Sequence, residues 1–132
     1  MWAALRVPMQ AERLDPVRIE NALELGTPDV NYTLGWCELK YVDAWPKRGG
    51  PLKIRHYTPQ QRAWLLRRRH VGGRVNIVLK VGKEWYLLPV GEATELLYRG
   101  EMTRAAATQW FCAGGPGEIA VELSRVSKEV VT

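Results

Sequence analysis

The chain has 132 residues, of which 46% are hydrophobic and 25% charged, and carries a formal net charge of +5. That length suits one globular domain with a single core and leaves no room for two. No apolar run approaches membrane-spanning length, and the opening MWAALRVPMQAER lacks the basic leader and small-residue cleavage site of a signal peptide, so a cytoplasmic protein without a membrane partner is expected. Two cysteines, Cys37 and Cys112, and two histidines, His56 and His70, give neither a zinc-ligand spacing nor a disulfide framework. Both thiols are expected to be reduced and buried.

From Asp15 to Leu25, the apolar positions Val17, Ile19, Ala22 and Leu23 predict a short helix with Asp15 as N-cap and Pro16 at its first position, stopped by Gly26. Val30 to Leu34 and Trp36 to Val42 alternate as strands do and predict a hairpin turning at Leu34-Gly35. Residues 43 to 57 hold two prolines, the Gly49-Gly50 pair, and Lys47, Arg48, Lys53, Arg55 and His56. This composition predicts an exposed, mobile loop outside the core.

Thr58 and Pro59 open a second predicted helix, which runs to about His70 and stops at Gly72-Gly73. RVNIVLKVGKEWYLLPV reads as two strands around Gly82-Lys83. EATELLYRG after Gly91, Thr103 to Cys112, and Ile119 to Val131 are predicted helical, the last with an apolar face of Ile119, Leu123, Val126 and Val130. The fold class expected is therefore α/β, a small mixed sheet flanked by helices, in one domain with a core over about 16–98 and a helical segment over about 101–132.

The charges inside the first hairpin carry the chemistry. Successive side chains in a strand face opposite ways, so Glu38 and Lys40 share one face while Cys37, Leu39 and Tyr41 share the other. The hairpin brings Asp29 toward Glu38 from the neighbouring strand. Two carboxylates so close repel one another unless a cation lies between them, and hard oxygen ligands with room for water suit Mg²⁺ or Mn²⁺. Such an ion polarises a phosphoryl oxygen and acidifies bound water, while Lys40 would orient or deprotonate the nucleophile or stabilise the pentavalent charge. Phosphodiester hydrolysis is the reaction that fits. A Glu-x-Lys on a strand is by itself usually a surface ion pair; the joint placement with Pro28-Asp29, a tight turn and the basic segments that follow sets this one apart.

Those segments hold Lys47, Arg48, Lys53 and Arg55, then Arg67, Arg68 and Arg69, and they contribute to a sequence pI of about 9.5. A charge run is ordinarily a solvated face, but beside a phosphodiester site it predicts salt-dependent binding of DNA. Trp36, Trp64, Trp85 and Trp110 are expected in the core or an interface. Trp45, in the basic loop, is the exception.

GTPDV, then WCELK, then TPQQRAWL and the Gly-Gly pair resemble the PD-(D/E)xK nuclease superfamily, and more closely its VRR-NUC branch, which includes small free-standing phage proteins. The resemblance covers roughly residues 16 to 90. It implies a restriction-endonuclease-like core, Asp29 and Glu38 as metal ligands with the Leu39 carbonyl as a third, Lys40 as the catalytic lysine, and Gln61 as the glutamine of the following helix. It also implies an upstream acid, best matched by Glu20, with Glu24 one turn later. The implied activity is a Mg²⁺- or Mn²⁺-dependent DNA endonuclease similar to Holliday-junction resolvases, acting on branched DNA as a homodimer. The alternatives are a nickase or flap endonuclease, and a basic DNA-binding protein without turnover.

Overall fold

The computed structural model describes residues 1–20 and 23–125. In chain order these form α1 (Trp2–Ala11), β1 (Val17–Arg18), β2 (Val30–Tyr32), β3 (Gly35–Val42), α2 (Pro59–His70), β4 (Val75–Val81), β5 (Glu84–Pro89), α3 (Glu92–Tyr98), α4 (Arg104–Ala107), β6 (Phe111–Ala113) and α5 (Pro116–Ser124). The strands make one sheet in sequence order, antiparallel except where β3 runs parallel to β4. The connection across that parallel step is the basic segment and α2.

Both faces of the sheet are covered, which is why β4 is buried at every position except Lys80 and is mostly Val, Ile and Leu. Val75, Ile77, Leu79 and Val81 pack with Tyr86, Leu88, and Trp64 and Leu65 of α2 on one face. On the other, Val78, Cys37, Trp85 and Leu87 pack with Leu5 and Met9 of α1 and Ile119 and Leu123 of α5. Gly82 makes the tight turn between β4 and β5 at a left-handed φ of +59°. α2 starts as its sequence predicts. Thr58 accepts from the Gln61 amide, and the Gln61 side chain accepts from the Thr58 amide, a reciprocal capping box behind Pro59.

Several expectations are corrected. The helix expected over Asp15–Leu25 does not form: Val17–Arg18 join the sheet as β1, pairing with β2, and 23–26 are bend and turn. Ala22 lies outside the described residues. Two paired strand residues are too few for periodicity to register, and the ladder to β2 outweighs local helix preference. The helix that does cover this end of the sheet, α1, lies upstream, where no element was expected, and carries Pro8 in its interior, a position proline ordinarily disfavours.

The first hairpin turns at Thr33-Leu34, with Tyr32 paired to Gly35. Residues 43–57 are not wholly outside the core. Leu52 and Tyr57 are buried in it, and the Leu52 amide donates to the Met102 carbonyl at 2.9 Å. The stretch Thr103–Cys112 gives only the short α4 before Phe111–Ala113 adds to the edge of β5 as β6. Cys112 on that edge is exposed; Cys37 is buried as expected. Ile119 and Leu123 face the chain's own core, while Val126 and Val130 lie outside the described residues.

Candidate active site

Val30 pairs with Cys37 at the last rung of the β2–β3 ladder. One step further, Asp29 stands across from Glu38, where β2 has ended and β3 continues. The Leu39 amide would lack a partner at this opening, and Asp29 supplies one: its Oδ2 accepts the Leu39 N–H at 2.8 Å. The N–H and C=O of a strand residue project to the same side, so the Leu39 carbonyl faces the same gap. Gly26 lets the segment before Asp29 reach this position. It has φ +89°, and a Cβ there would collide with the Gln60 carbonyl at the start of α2. No other residue fits that approach.

Glu38 and Lys40 are 1% and 2% exposed, on the sheet face that α2 covers. Burial, and after it the Asp29 carboxylate alongside, pushes the Glu38 carboxyl up to about 9. Glu38 Oε2 is buried with no hydrogen-bond partner among the described residues. The direction of that shift favours a proton on Glu38 next to Asp29 while no cation is bound. Burial lowers the Lys40 pKa, while the charges of Glu38 and Asp29 oppose that shift. Lys40 Nζ donates to the His56 carbonyl at 2.6 Å and to Gln61 Oε1 at 2.8 Å, and it lies 5.2 Å from the centre of the Tyr57 ring. Gln61 Oε1 also accepts the Thr58 amide at 3.1 Å, so one oxygen caps the helix and anchors the lysine.

Asp29, Glu38, Leu39, Lys40 and Gln61 line a cleft of about 430 Å³ together with Met1, Trp2, Arg18, Tyr41 and His56. Partial burial, and after it the Lys40 charge, lowers the His56 pKa. A larger cleft of about 1120 Å³ opens by the start of β4 and Trp110. Its described lining holds one carboxylate, Glu122, so paired-carboxylate chemistry belongs to the smaller cleft.

The donor set suits a hard divalent cation. Among the described residues no group of three or more His, Cys, Asp or Glu converges. Two carboxylates, one carbonyl and open cleft volume match an ion that keeps water and takes substrate oxygens, as Mg²⁺ does. A cation there would also supply the partner that Glu38 Oε2 lacks.

The structure thus brings together Asp29, Glu38, Leu39, Lys40 and Gln61. Glu20 is exposed on the segment after β1, outside the cleft lining. Glu24 is turned to α2, where its Oε1 accepts from Trp64 Nε1 at 3.1 Å and from Arg67 Nη2 at 3.3 Å. Lys47, Arg48, Lys53 and Arg55 are exposed, as are Arg67 and Arg69, and none of them lines the cleft. Arg68 is half-buried, its guanidinium 4.6 Å from the Trp64 ring and 5.9 Å from the Trp36 ring, so it is a packing group. Trp45 is fixed too: its Nε1 donates to Glu84 at 2.8 Å and its ring meets Tyr86 edge-on. Arg18, Trp2 and the His56 carbonyl were missed. The first two come from elements the sequence did not reveal, and a backbone carbonyl leaves no side-chain signature.

No protein-family model matches the chain, and a search of curated proteins finds no match. Among solved structures it is similar to Hjc, a Holliday junction resolvase from the archaeal hyperthermophile Archaeoglobus fulgidus, with a TM-score of 0.57 and 19% identity, covering 88% of this chain and 93% of that one. The mixed six-stranded sheet flanked by helices accordingly matches the restriction-endonuclease-like fold of that neighbour.

Proposed function

We propose that the chain is a divalent-metal-dependent DNA endonuclease that cuts branched DNA in the manner of a Holliday-junction resolvase. The observation that carries this is the buried Glu38 carboxylate, with Oε2 lacking a partner among the described residues, set beside Asp29 and Lys40 at the open end of a hairpin. The fold shared with a resolvase supports the substrate class. The Gly26-to-Lys40 segment and Gln61 in the first turn of α2 support the VRR-NUC branch. A phage source rests on that resemblance alone.

Asp29, Glu38 and the Leu39 carbonyl would hold Mg²⁺ or Mn²⁺, which supplies charge against the scissile phosphate and a more acidic bound water. Of the two upstream acids, Glu20 is the one left to assist, since Glu24 is held by Trp64 and Arg67. Lys40 keeps one N–H for the reaction. An ammonium has three donors, and His56 and Gln61 take two, which leaves the third for the cleft that Lys40 lines. Its lowered pKa brings it closer to exchanging a proton with the attacking water. Lys47, Arg48, Lys53 and Arg55, with Arg67 and Arg69, would track the phosphates beyond the cut.

Resolving a four-way junction requires two incisions, and the described residues of one chain form one cleft with paired carboxylates. A two-fold homodimer matches the junction's symmetry. Its interface cannot use Ile119 and Leu123, which are spent on the internal core. The test is a panel of labelled four-way junction, flap, single-stranded and duplex DNAs, incubated with Mg²⁺ or Mn²⁺ and with chelator. Paired cuts that release two duplexes, only with metal, are expected. Nicks or flap removal alone would favour the single-incision reading, and binding without cleavage of any substrate would overturn the enzyme.

A further inference from the structure

The arginines that support this fold are firmly engaged. Arg62 meets Glu95 with two donors, Nε at 2.8 Å from Oε2 and Nη2 on Oε1. Arg104 Nη2 donates to Glu84 Oε2 at 2.6 Å, and Arg74 Nη2 to the Leu123 carbonyl at 3.1 Å. Arg18 differs. Its Nη2 lies 3.7 Å from Asp29 Oδ1, beyond hydrogen-bond range, on a side chain 42% exposed that extends from the edge strand β1 into the cleft. Asp29 divides its two oxygens accordingly. Oδ2 is committed to the Leu39 amide, whereas Oδ1 lies 3.7 Å from this loose guanidinium, with the Glu38 carboxyl also alongside.

A single long, exposed contact of this kind holds a guanidinium weakly. A divalent cation on Asp29 and Glu38 would occupy the same carboxylate and repel it. The next anion in the cleft is then the DNA phosphate, and a planar guanidinium matches phosphate oxygens with paired donors, as the point charge of Lys40 does not. Resting on the nuclease reading above, we propose that Arg18 is a two-position residue: it neutralises Asp29 before metal arrives and clamps the scissile phosphodiester afterwards.

The two positions predict effects of opposite sign. In Arg18→Ala, DNA-free protein should bind Mn²⁺ more tightly by about two- to fivefold in calorimetry, because the competing ion pair is gone. The same variant should bind a labelled four-way junction more weakly in Ca²⁺, with the log-log salt slope shallower by about 0.9, the value for one neutralised phosphate. Arg18→Gln keeps length and hydrogen bonding without the charge and should give both results if the alanine variant folds poorly. A merely structural arginine would loosen Asp29, weaken Mn²⁺ binding and leave the slope alone. Mn²⁺ affinity unchanged or lowered, or an unchanged salt slope, overturns the proposal. The wild-type protein separates this failure from a larger one: if it binds neither Mn²⁺ nor the junction, the nuclease reading itself falls.

Discussion

Lys40 Nζ and Thr58 N meet on the same atom, Gln61 Oε1, at 2.8 Å and 3.1 Å. The first turn of α2 therefore serves both as a helix cap and as the seat of the buried ammonium. Removing Gln61 damages two functions at once, whereas removing Thr58 damages one. Gln61→Ala should cost about 0.5–2 kcal/mol of stability through the cap and lower the cleavage rate by about tenfold or more. Thr58→Ala should cost about 1 kcal/mol and leave the rate nearly intact. Thermal melts paired with single-turnover cleavage would check this, and equal rate losses in the two variants would break the link between cap and lysine.

The raised Glu38 pKa sets a direction for stability against pH. Below about 4.5 the carboxyl is protonated in folded and unfolded chains alike. Between that value and about 9 the unfolded chain has released the proton while the folded one still holds it, so the chelated protein loses stability as pH rises across this window. Lys40, with its lowered pKa, contributes a rise with pH that is complete only at its unfolded value of 10.5. Melting temperatures from pH 5 to pH 9 should fall in chelator and be restored by Ca²⁺, which exchanges the proton for a cation. Glu38→Gln should remove the slope attributed to this group; an undiminished slope would assign it elsewhere.

How much of this was legible in the sequence follows from what each element depends on. α2 and the β4–β5 hairpin carry local signals, Thr58-Pro59 at the start of one and Gly82 after a β-branched run in the other, and both formed where expected. The Asp29, Glu38 and Lys40 trio was legible because strand alternation needs only the sequence. β1 and β6 exist only as additions to the edges of a formed sheet, so neither has a period to read. Arg18 and Trp2 were hidden for the same reason, since their approach to Asp29 depends on where β1 and α1 dock.

The basic residues should divide into two classes. Replacing Lys47, Arg48, Lys53 and Arg55 together by glutamine should weaken junction binding and flatten its salt dependence, by about 0.9 in log-log slope for each phosphate no longer neutralised. Arg67 and Arg69, exposed on α2, should act in the same way. Arg68→Ala should instead destabilise the fold by about 0.5–1 kcal/mol, because its guanidinium lies over Trp64 and Trp36. Titrations at several salt concentrations alongside thermal melts distinguish the classes; a loop variant with unchanged slope would make that segment a solvated surface.

The central claim is that Asp29, Glu38 and Lys40 form a hydrolytic site, and single-turnover cleavage of a labelled four-way junction in Mg²⁺ tests it most directly when paired with binding of the same DNA in Ca²⁺. Wild-type protein should cut. Lys40→Ala and Glu38→Ala should cut at least about 10²-fold more slowly while binding within a few-fold of wild type, because the proposed phosphate-tracking charges lie outside the cleft. Either variant cutting at the wild-type rate would contradict the site.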